Sequence, residues 1–345
     1  MSRPVRTSRR AFLRTAAVGL SAAAIGLRPV APARGQLPFS RILEVESETV
    51  RQHDTFDSGV LRRMVSEGVR SLIGARADDA AWKRIVAPND VVAIKIDAAV
   101  PQLSTHKILI DEIVRGVVRA GVPPENVIVW DRYAQDLERF GYALKALPEF
   151  GFEEPRGRIL ASEGGDGTIR RVGYDENIYF DSEEDLPSRR EDGATVSYFS
   201  QIVTQLATRI ICLPVLRYHP ITGIYGCLAG LALGSMSNTF RFHPKSGDGI
   251  TVIADIWRES SILREKHALT IVDGLSGAYN TGPGYDPRWF WSADRLFVSR
   301  DPVAADTLSL EAVNGQRKAP LDQVTDQVAL TQAYVTGTTN LAMVT

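Results

Sequence analysis

"DVVAIKID", residues 90–97, decides the fold of this chain together with "NVIVWD", residues 126–131. Both are short apolar runs rich in β-branched residues, which is typical of buried strands. Between them, residues 104–120 carry apolar side chains at helical spacing, and Gly121 follows where the helix would end. Because a connection of this length joins parallel strands, the passage predicts a βαβ unit in a doubly wound, mostly parallel α/β sheet of the Rossmann-like kind.

The same alternation continues on both sides of this unit. Further strands are predicted at "RIICLPV" (209–215), "ALTIVDG" (268–274) and "RLFVS" (295–299). Helices are predicted over residues 58–73, with Asp57 or Ser58 as the N-cap, and over 78–86, 247–264, the stretch opened by Asp301-Pro302, and 320–337. The charged segment 151–195 is predicted to be an insertion, either a lid or a solvated loop. No repeat or low-complexity linker interrupts the pattern, so we expect residues 37–345 to form a single domain.

The N-terminus has the pattern of an export signal. The residues "SRRAFLR" (8–14) precede a mildly apolar run, Thr15 to Leu27, and then a small-residue sequence, Ala31-Pro32-Ala33. This resembles a twin-arginine signal peptide, which we expect to cover residues 1–36. The resemblance implies the twin-arginine translocase as a partner, export of a folded chain and a periplasmic or secreted mature protein.

Composition excludes several classes of function. The 345 residues are 44% hydrophobic and 23% charged with a formal net charge of -1, which is typical of a soluble globular protein and not of an electrostatic nucleic-acid binder. No later segment has the ~20 consecutive apolar residues of a membrane span. Cys212 and Cys227 are too few to hold an iron–sulfur cluster. They could form a disulfide in an oxidising compartment, or Cys212 could be an ordinary core residue.

Polar residues recur where the predicted strands end. Because ligands bind at the carboxyl ends of the strands in open α/β sheets, these residues define a candidate site. They are Lys95 and Asp97 after the first strand, Asp131 after the second, then Arg217 and His219, Asp273, and Asp301.

Three of these positions have a structural alternative. Lys95 and Asp97 share one face of their strand, so Lys95 could either form an ion pair or face a substrate. Asp301 before Pro302 is the usual start of a helix. Asp306 lies on the apolar face of that helix, where a carboxylate needs a hydrogen-bond donor or a cation.

The segment that follows His219 is rich in glycine. Gly223, Gly226, Gly230 and Gly234 recur every three or four residues, which on a helix gives one side without side chains. With Thr222 before it, the start of this segment could offer backbone N–H groups to an anion, or the glycines could simply allow close packing.

Histidines and aromatic residues add two further candidates. His219 and His243 both precede a proline, and with Asp97 and Asp273 they could hold a divalent metal, although for a lone histidine a structural role is the more common one. His106, at the start of helix 104–120, could point towards the same edge. The aromatic loop 278–291 could pack over the sheet or form a pocket wall.

Taken together and in this order, these motifs resemble the family named domain of unknown function 362. The resemblance covers roughly residues 88–315 and rests on the two opening strands, "RYHPITG", "IVDG", "GPG" and "SRDPVAAD". The matching residues are Lys95, His219, Thr222, Gly223, Asp273, Gly274, Gly282, Pro283, Gly284, Asp301, Pro302 and Asp306. Arg217 stands where members often have lysine, Ala229-Gly230 replaces a Lys-Asn pair, and the ferredoxin-type cysteines of some members are absent. The resemblance implies a fold and a site location without a reaction.

The sequence therefore predicts an exported α/β protein that binds a small anion, a carboxylate or a phosphate, with a divalent metal as a further candidate ligand. Lys95, His219 and Asp273 are the candidate catalytic residues. Arg217, Thr222, Gly223 and Asp306 are the candidate substrate-binding residues. The metal candidates are His219, Asp273, His243 and Asp97. A non-catalytic periplasmic ligand-binding or assembly factor, and a purely structural polar network, remain as alternatives.

Overall fold

The computed structural model describes residues 40–181, 196–220, 222–242, 252–280, 285–317 and 341–343. The strands are β1 (Ser40–Glu46), β2 (Arg51–Gln52), β3 (Thr55–Phe56), β4 (Val92–Ile96), β5 (Val127–Tyr133), β6 (Arg158–Glu163), β7 (Arg170–Arg171), β8 (Tyr174–Phe180), β9 (Ser197–Ser200), β10 (Arg209–Leu213), β11 (Val215–His219), β12 (Gly223–Ile224), β13 (His267–Ala278), β14 (Phe290–Trp291), β15 (Arg295–Ser299) and β16 (Leu341–Met343). The α-helices are α1 (Ser58–Ile73), α2 (Asp78–Trp82), α3 (Lys107–Arg119), α4 (Ala134–Phe140), α5 (Cys227–Ala232), α6 (Val252–Glu259), α7 (Ser261–Lys266) and α8 (Pro302–Gln316).

One large mixed sheet organises the described residues, in the order β16-β1-β15-β13-β10-β4-β5-β6-β7. The strands from β13 to β7 in this order run parallel to one another. At the other side, β15 is antiparallel to both of its neighbours, β13 and β1. The parallel majority and the β4-α3-β5 crossover confirm the predicted α/β fold.

Helices cover both faces of this sheet because its central strands are apolar on both sides. In β4, Val92, Ile94 and Ile96 pack with the apolar sides of α1, α2 and α3. Ala93 packs on the opposite face with residues of α5 and α6. Lys95 alternates onto this second face, as predicted, and it is there that its strand meets the glycine-rich segment.

Of the two N-caps predicted for helix 58–73, Asp57 is the one observed in α1. The Asp57 side chain accepts a hydrogen bond of 2.8 Å from the Val60 N–H, and Gly74 ends the helix in the left-handed conformation with φ 68°. The helix predicted over 104–120 is α3, preceded by a 3₁₀ turn at Pro101–Leu103.

The helix predicted over residues 247–264 is instead two helices, α6 and α7. Ser260 separates them, because its hydroxyl accepts the Leu263 N–H at 3.3 Å and caps the second helix. Residues 247–251 and the helix predicted over 320–337 lie outside the described residues.

The expected insertion contributes to the fold. Within segment 151–195, β6 and β7 extend the large sheet, and β8 pairs with β9. Residues 182–195 lie outside the described part of the chain. No α-helix among the described residues is both long and apolar enough to span a membrane.

The prediction that Asp301 lies at the ligand-binding edge is wrong. The chain between β13 and β15 shows no α-helical crossover in its described residues, so β15 returns antiparallel and Ser299 pairs with Thr270, near the start of β13. Asp301 therefore lies at the opposite edge. It caps α8, accepting the N–H groups of Val303 at 2.8 Å and Ala304 at 3.3 Å.

Candidate functional site

A cavity of about 650 Å³ lies where β4, β5, β6 and β11 end. Four carboxylates line it: Asp97, Asp131, Asp136 and Glu163. Arg132 and His219 contribute to its wall, as do the amides of Gln135 and Asn238 and the rings of Tyr133, Tyr225 and Phe240. The predicted edge of the sheet thus contains a space of the size that holds small ligands in proteins.

The Asp97 carboxylate is held by Arg217 of β11. Arg217 donates from Nε at 2.9 Å and from Nη2 at 2.8 Å to the same oxygen, Oδ2, and both side chains are buried. The guanidinium carbon also lies 4.8 Å from the centre of the Tyr225 ring. Because Asp97 balances its charge, Arg217 does not serve as the open anion-binding cation predicted from the sequence.

The Asp131 carboxylate is held in a similar way by Lys95. Lys95 Nζ donates to Asp131 Oδ1 at 2.6 Å and to the Ile96 carbonyl at 2.7 Å. Asp131 also accepts the backbone N–H groups of Ala98 at 2.8 Å and Arg132 at 2.7 Å. Of the two alternatives for Lys95, the ion pair is the one observed, with Asp131 and not Asp97 as the partner.

The charge state of Lys95 follows from these contacts. Burial lowers the pKa of Lys95. The charge of Asp131 and its hydrogen bond raise this pKa, and the net shift is upward. Lys95 is therefore a protonated, structurally engaged cation, which does not suit the predicted role of catalytic base.

Asp136, in the first turn of α4, differs from these two carboxylates. Burial raises the pKa of Asp136, and the nearby charges of Asp131 and Asp97 raise it as well. Arg139 donates a hydrogen bond that lowers this pKa, but the net shift is upward. A carboxyl group with a raised pKa at a cavity wall is a candidate for general acid–base chemistry. The sequence analysis did not identify Asp136.

Arg132 and Glu163 form a third charged pair at the cavity wall. Arg132 Nε donates to Glu163 Oε1 at 2.7 Å, and Arg132 Nη1 donates to the Thr239 hydroxyl. Burial lowers the pKa of Arg132, while the neighbouring Tyr174, Tyr133 and Glu163 raise it, and the net shift is upward. These residues were also missed, although "WDRYAQD" has polar residues directly after a strand, which is the signal used elsewhere.

His219 ends β11 and lies in the cavity wall. Its Nδ1 accepts the Thr222 N–H at 3.2 Å and lies 2.9 Å from the Thr222 hydroxyl, which donates to the Ile224 carbonyl at 2.8 Å. An Nδ1 that accepts a hydrogen bond carries no proton, so the hydrogen of the neutral ring lies on Nε2. Thr222 lies in the turn before β12, and Gly223, whose φ is 77°, pairs with His219 across the hairpin of β11 and β12.

The glycine-rich segment does not present its helix start to a ligand. Helix α5 begins at Cys227, and Asp306 of α8 accepts the N–H groups of Cys227 at 2.6 Å and Leu228 at 2.9 Å. Gly226 permits this contact, because a Cβ there would lie 2.2 Å from the Asp306 carboxylate. The predicted substrate-binding role of Asp306 is therefore replaced by a capping role. Burial raises the pKa of Asp306 to about 7, although both backbone hydrogen bonds lower it.

Asp273 lies apart from the cavity wall and holds His106. The fully buried Asp273 carboxylate accepts the His106 backbone N–H at 2.6 Å, contacts the ring Nδ1 at 2.8 and 3.0 Å, and accepts the Leu275 N–H at 3.2 Å. Burial lowers the pKa of His106, but Asp273 raises it, and the net shift is upward. The structure thus pairs Asp273 with His106 and not with His219, another predicted catalytic residue at this edge.

The predicted metal ligands are only partly brought together. His219 and Asp97 line the same cavity, Asp273 does not, and His243 lies outside the described residues. In the described part of the chain, no group of three or more His, Cys, Asp and Glu side chains is arranged to hold a metal ion. A divalent metal stays a prediction.

The cysteines and the aromatic loop lie elsewhere. Cys212 and Cys227 are both buried free thiols, and Cys227 Sγ lies 3.0 Å from the Thr270 hydroxyl. Trp289 and Trp291 pack against the Tyr279 ring, at centroid distances of 5.6 and 5.9 Å. This is the packing interpretation of the loop. Residues 281–284, which hold the "GPG" motif, lie outside the described residues.

Comparison with known proteins gives a family and a distant structural likeness. The model of the family described as Domain of unknown function (DUF362) matches residues 92–311. Among solved structures, the chain is similar to a crystal structure of a Thermotoga maritima protein from the Northeast Structural Genomics Consortium, with 10% identity and a TM-score of 0.41. That match covers 84% of this chain and 60% of the other, so the chain spans less than two thirds of that protein. No curated protein matches.

Proposed function

This chain belongs to the DUF362 family, which is defined without a known function, and we propose that it is an enzyme that performs acid–base chemistry on a small polar molecule in the cavity. The observation that carries the proposal is Asp136, a buried carboxyl group with a raised pKa in the cavity wall. Titratable groups with raised pKa values in clefts are typical of catalytic sites.

His219 supplies the second titratable group. Its Nδ1 is engaged by Thr222, so the tautomer with the proton on Nε2 is favoured and the ring is held in one orientation. An imidazole and a carboxyl group on one cavity wall can exchange protons with a bound molecule in both directions, one as acid and the other as base. Of the three catalytic residues predicted from the sequence, His219 is the one that the proposal keeps.

The ion pairs behind the cavity support this chemistry by fixing the wall. Asp97 and Asp131 each accept both a buried cation and at least one backbone N–H group, so neither carboxylate can rotate freely. Their charges also help to keep the pKa of Asp136 raised. A rigid set of charges that tunes a neighbouring acid is a preorganised electrostatic environment.

We also propose that residues 1–36 direct export of the folded chain by the twin-arginine translocase, which would place the mature protein in the periplasm or outside the cell. The paired Arg9-Arg10 and the apolar run that follows support this proposal. A translocase and a small-molecule ligand are then the partners.

The acid–base proposal is tested in two stages. Thermal shift first identifies stabilising compounds in a panel of hydroxy acids, sugars, phosphates and amines. Proton NMR in D₂O then follows each one for conversion or for exchange of carbon-bound hydrogen. We expect Asp136→Asn to reduce turnover by roughly 10²-fold or more while binding persists, because general acid–base catalysis contributes about that much.

The matched control is Asp54→Asn, which makes the same change at an exposed residue. Turnover by Asp136→Asn at the wild-type rate would refute the catalytic role. Compounds that bind in the cavity without any conversion would favour the alternative, a non-catalytic ligand-binding protein.

A further inference from the structure

Each described carboxylate of the cavity wall is paired with a cation. Of the described residues that line it, four are carboxylates, and each has its own partner at salt-bridge distance. The pairs are Asp97 with Arg217, Asp131 with Lys95, Glu163 with Arg132, and Asp136 with Arg139. The cavity therefore needs no charged ligand to reach electrostatic balance, and a charged ligand would lose its hydration without gaining an unpaired counter-charge.

The positions of the charges disfavour an anion in particular. Arg132 lines the cavity but is paired with Glu163, whereas Lys95 and Arg217 do not line it and the carboxylates that they hold do. A bound carboxylate or phosphate would thus meet Asp97 and Asp131 before it met their cations, and like charges at short distance repel.

The uncharged part of the wall is suited to hydroxyl groups. Gln135 and Asn238 have amides that both donate and accept, and the carboxylates offer several acceptor oxygens. A ligand with several hydroxyl groups can donate to the carboxylates and accept from the amides without carrying charge itself. The volume of about 650 Å³ is within the range of small-molecule pockets and exceeds what a single metal or phosphate ion requires.

The wall also includes an aromatic surface that is open to solvent. Phe240 lines the cavity, and 47% of its surface is exposed. Among the described residues, the other large apolar side chain that is exposed is Tyr285, at 40%. An exposed aromatic face beside hydrogen-bonding groups fits a molecule with one apolar face and a polar edge. A saturated ring with hydroxyl groups at its edge, such as a pyranose or a cyclitol, has this shape.

We propose that the cavity binds a neutral polyhydroxylated molecule, a sugar or a cyclitol, which stacks on Phe240 and donates hydroxyl hydrogen bonds to the carboxylates. This inference rests on the proposed function, since it names the class of molecule that the same cavity would hold. It replaces the anionic substrate that the sequence predicted.

The test is isothermal titration calorimetry with sugars that share a skeleton and differ in charge. The probes are neutral glucose, galactose, mannose, xylose and myo-inositol, with glucuronate and glucosamine as the anionic and cationic counterparts of glucose, and galacturonate and galactosamine as those of galactose. We expect at least one neutral probe to bind, and its charged counterparts to bind at least tenfold more weakly. Phe240→Ala should weaken that binding about tenfold, whereas Tyr285→Ala, the matched change at the other exposed aromatic residue, should leave it unchanged.

Three results would overturn this inference: a uronate that binds tenfold more tightly than its neutral parent, an amino sugar that does so, or no binding of any neutral probe at millimolar concentration. Equal loss of binding in Phe240→Ala and Tyr285→Ala would also do so, because it would show a general effect on the fold. The acid–base proposal is judged separately. It stands if any compound of another class is turned over by the wild-type protein and not by Asp136→Asn.

Discussion

Replacing Lys95 with methionine tests whether the ion pair with Asp131 holds the cavity wall together. Lys95 is 2% exposed, and its ammonium lies 2.6 Å from Asp131 Oδ1 and 2.7 Å from the Ile96 carbonyl. Methionine fills a similar volume, so the main loss is electrostatic and the Asp131 carboxylate is left buried without its cation. Removing one partner of a buried pair typically costs about 3–5 kcal/mol.

The structure places the expected cost near the lower end of this range. Asp131 would keep two donors, the backbone N–H groups of Ala98 and Arg132, and these continue to stabilise its charge. We therefore expect Lys95→Met to lower the free energy of unfolding by about 3 kcal/mol. Lys83→Met, at an exposed lysine, should change it by no more than about 0.5 kcal/mol.

Urea unfolding followed by tryptophan fluorescence measures these changes, and Trp130, whose ring centre is 5.4 Å from the Lys95 ammonium, lies at the site. The double variant Lys95→Met/Asp131→Asn removes both charges. We expect it to cost about 2 kcal/mol less than the sum of the single changes, since residues in contact couple by this amount. Additive single changes, or a Lys95→Met variant as stable as Lys83→Met, would show that Lys95 does not hold Asp131. Lys95 would then return as a candidate for substrate contact.

Three other perturbations have defined outcomes. The pKa of His106 is raised in the folded state, so the protonated ring stabilises the fold. This contribution is complete below the unfolded pKa of ~6.5 and is lost as the pH rises through the folded pKa. In urea unfolding, His106→Gln should therefore reduce stability more at about pH 6 than at about pH 9. Gly226→Ala would place a methyl group 2.2 Å from the carboxylate that caps α5, and it should cost roughly 1–3 kcal/mol or more in thermal unfolding. At Gly230 a Cβ would meet nothing within 4 Å, so the control Gly230→Ala should be neutral or stabilising by up to ~1 kcal/mol. Changing Arg9 and Arg10 together to lysine should prevent export, which cell fractionation and immunoblotting would detect as full-length protein retained in the cytoplasm; unchanged export would refute the twin-arginine assignment.

The central part of the fold could be predicted because its signals are local. The apolar runs of β4 and β5, the helix between them and the Asp57 cap of α1 depend on neighbouring residues in the chain. Strand direction at the side of the sheet could not be predicted in this way. The run that forms β15 looks like any other strand, and only the absence of a helical crossover in the described chain before it indicates that it returns antiparallel. That error placed Asp301 at the wrong edge.

The glycine-rich segment shows a different limit. Its spacing suggested one continuous helix with an open N-terminus, but the helix begins only at Cys227, and a carboxylate from α8 occupies its first N–H groups. A hydrogen bond between residues 79 positions apart leaves no periodic signal in the sequence. The need of Asp306 for a donor was visible in the sequence. The identity of the donor was not.

The same limit explains why the sequence predicted an anion and the structure favours a neutral ligand. The rule that polar residues follow parallel strands correctly indicated the edge where Lys95, Asp97 and Arg217 meet. The pairing of these charges depends on contacts between residues 36 and 120 positions apart, which no local pattern encodes. A cation at a strand end looks like an anion site only while its partner is unknown. Asp97 and Asp131 form ion pairs with the two cations, Arg217 and Lys95. The cavity then offers a ligand acceptor oxygens, amides and an exposed aromatic ring, so we expect it to bind by hydrogen bonding and not by charge attraction.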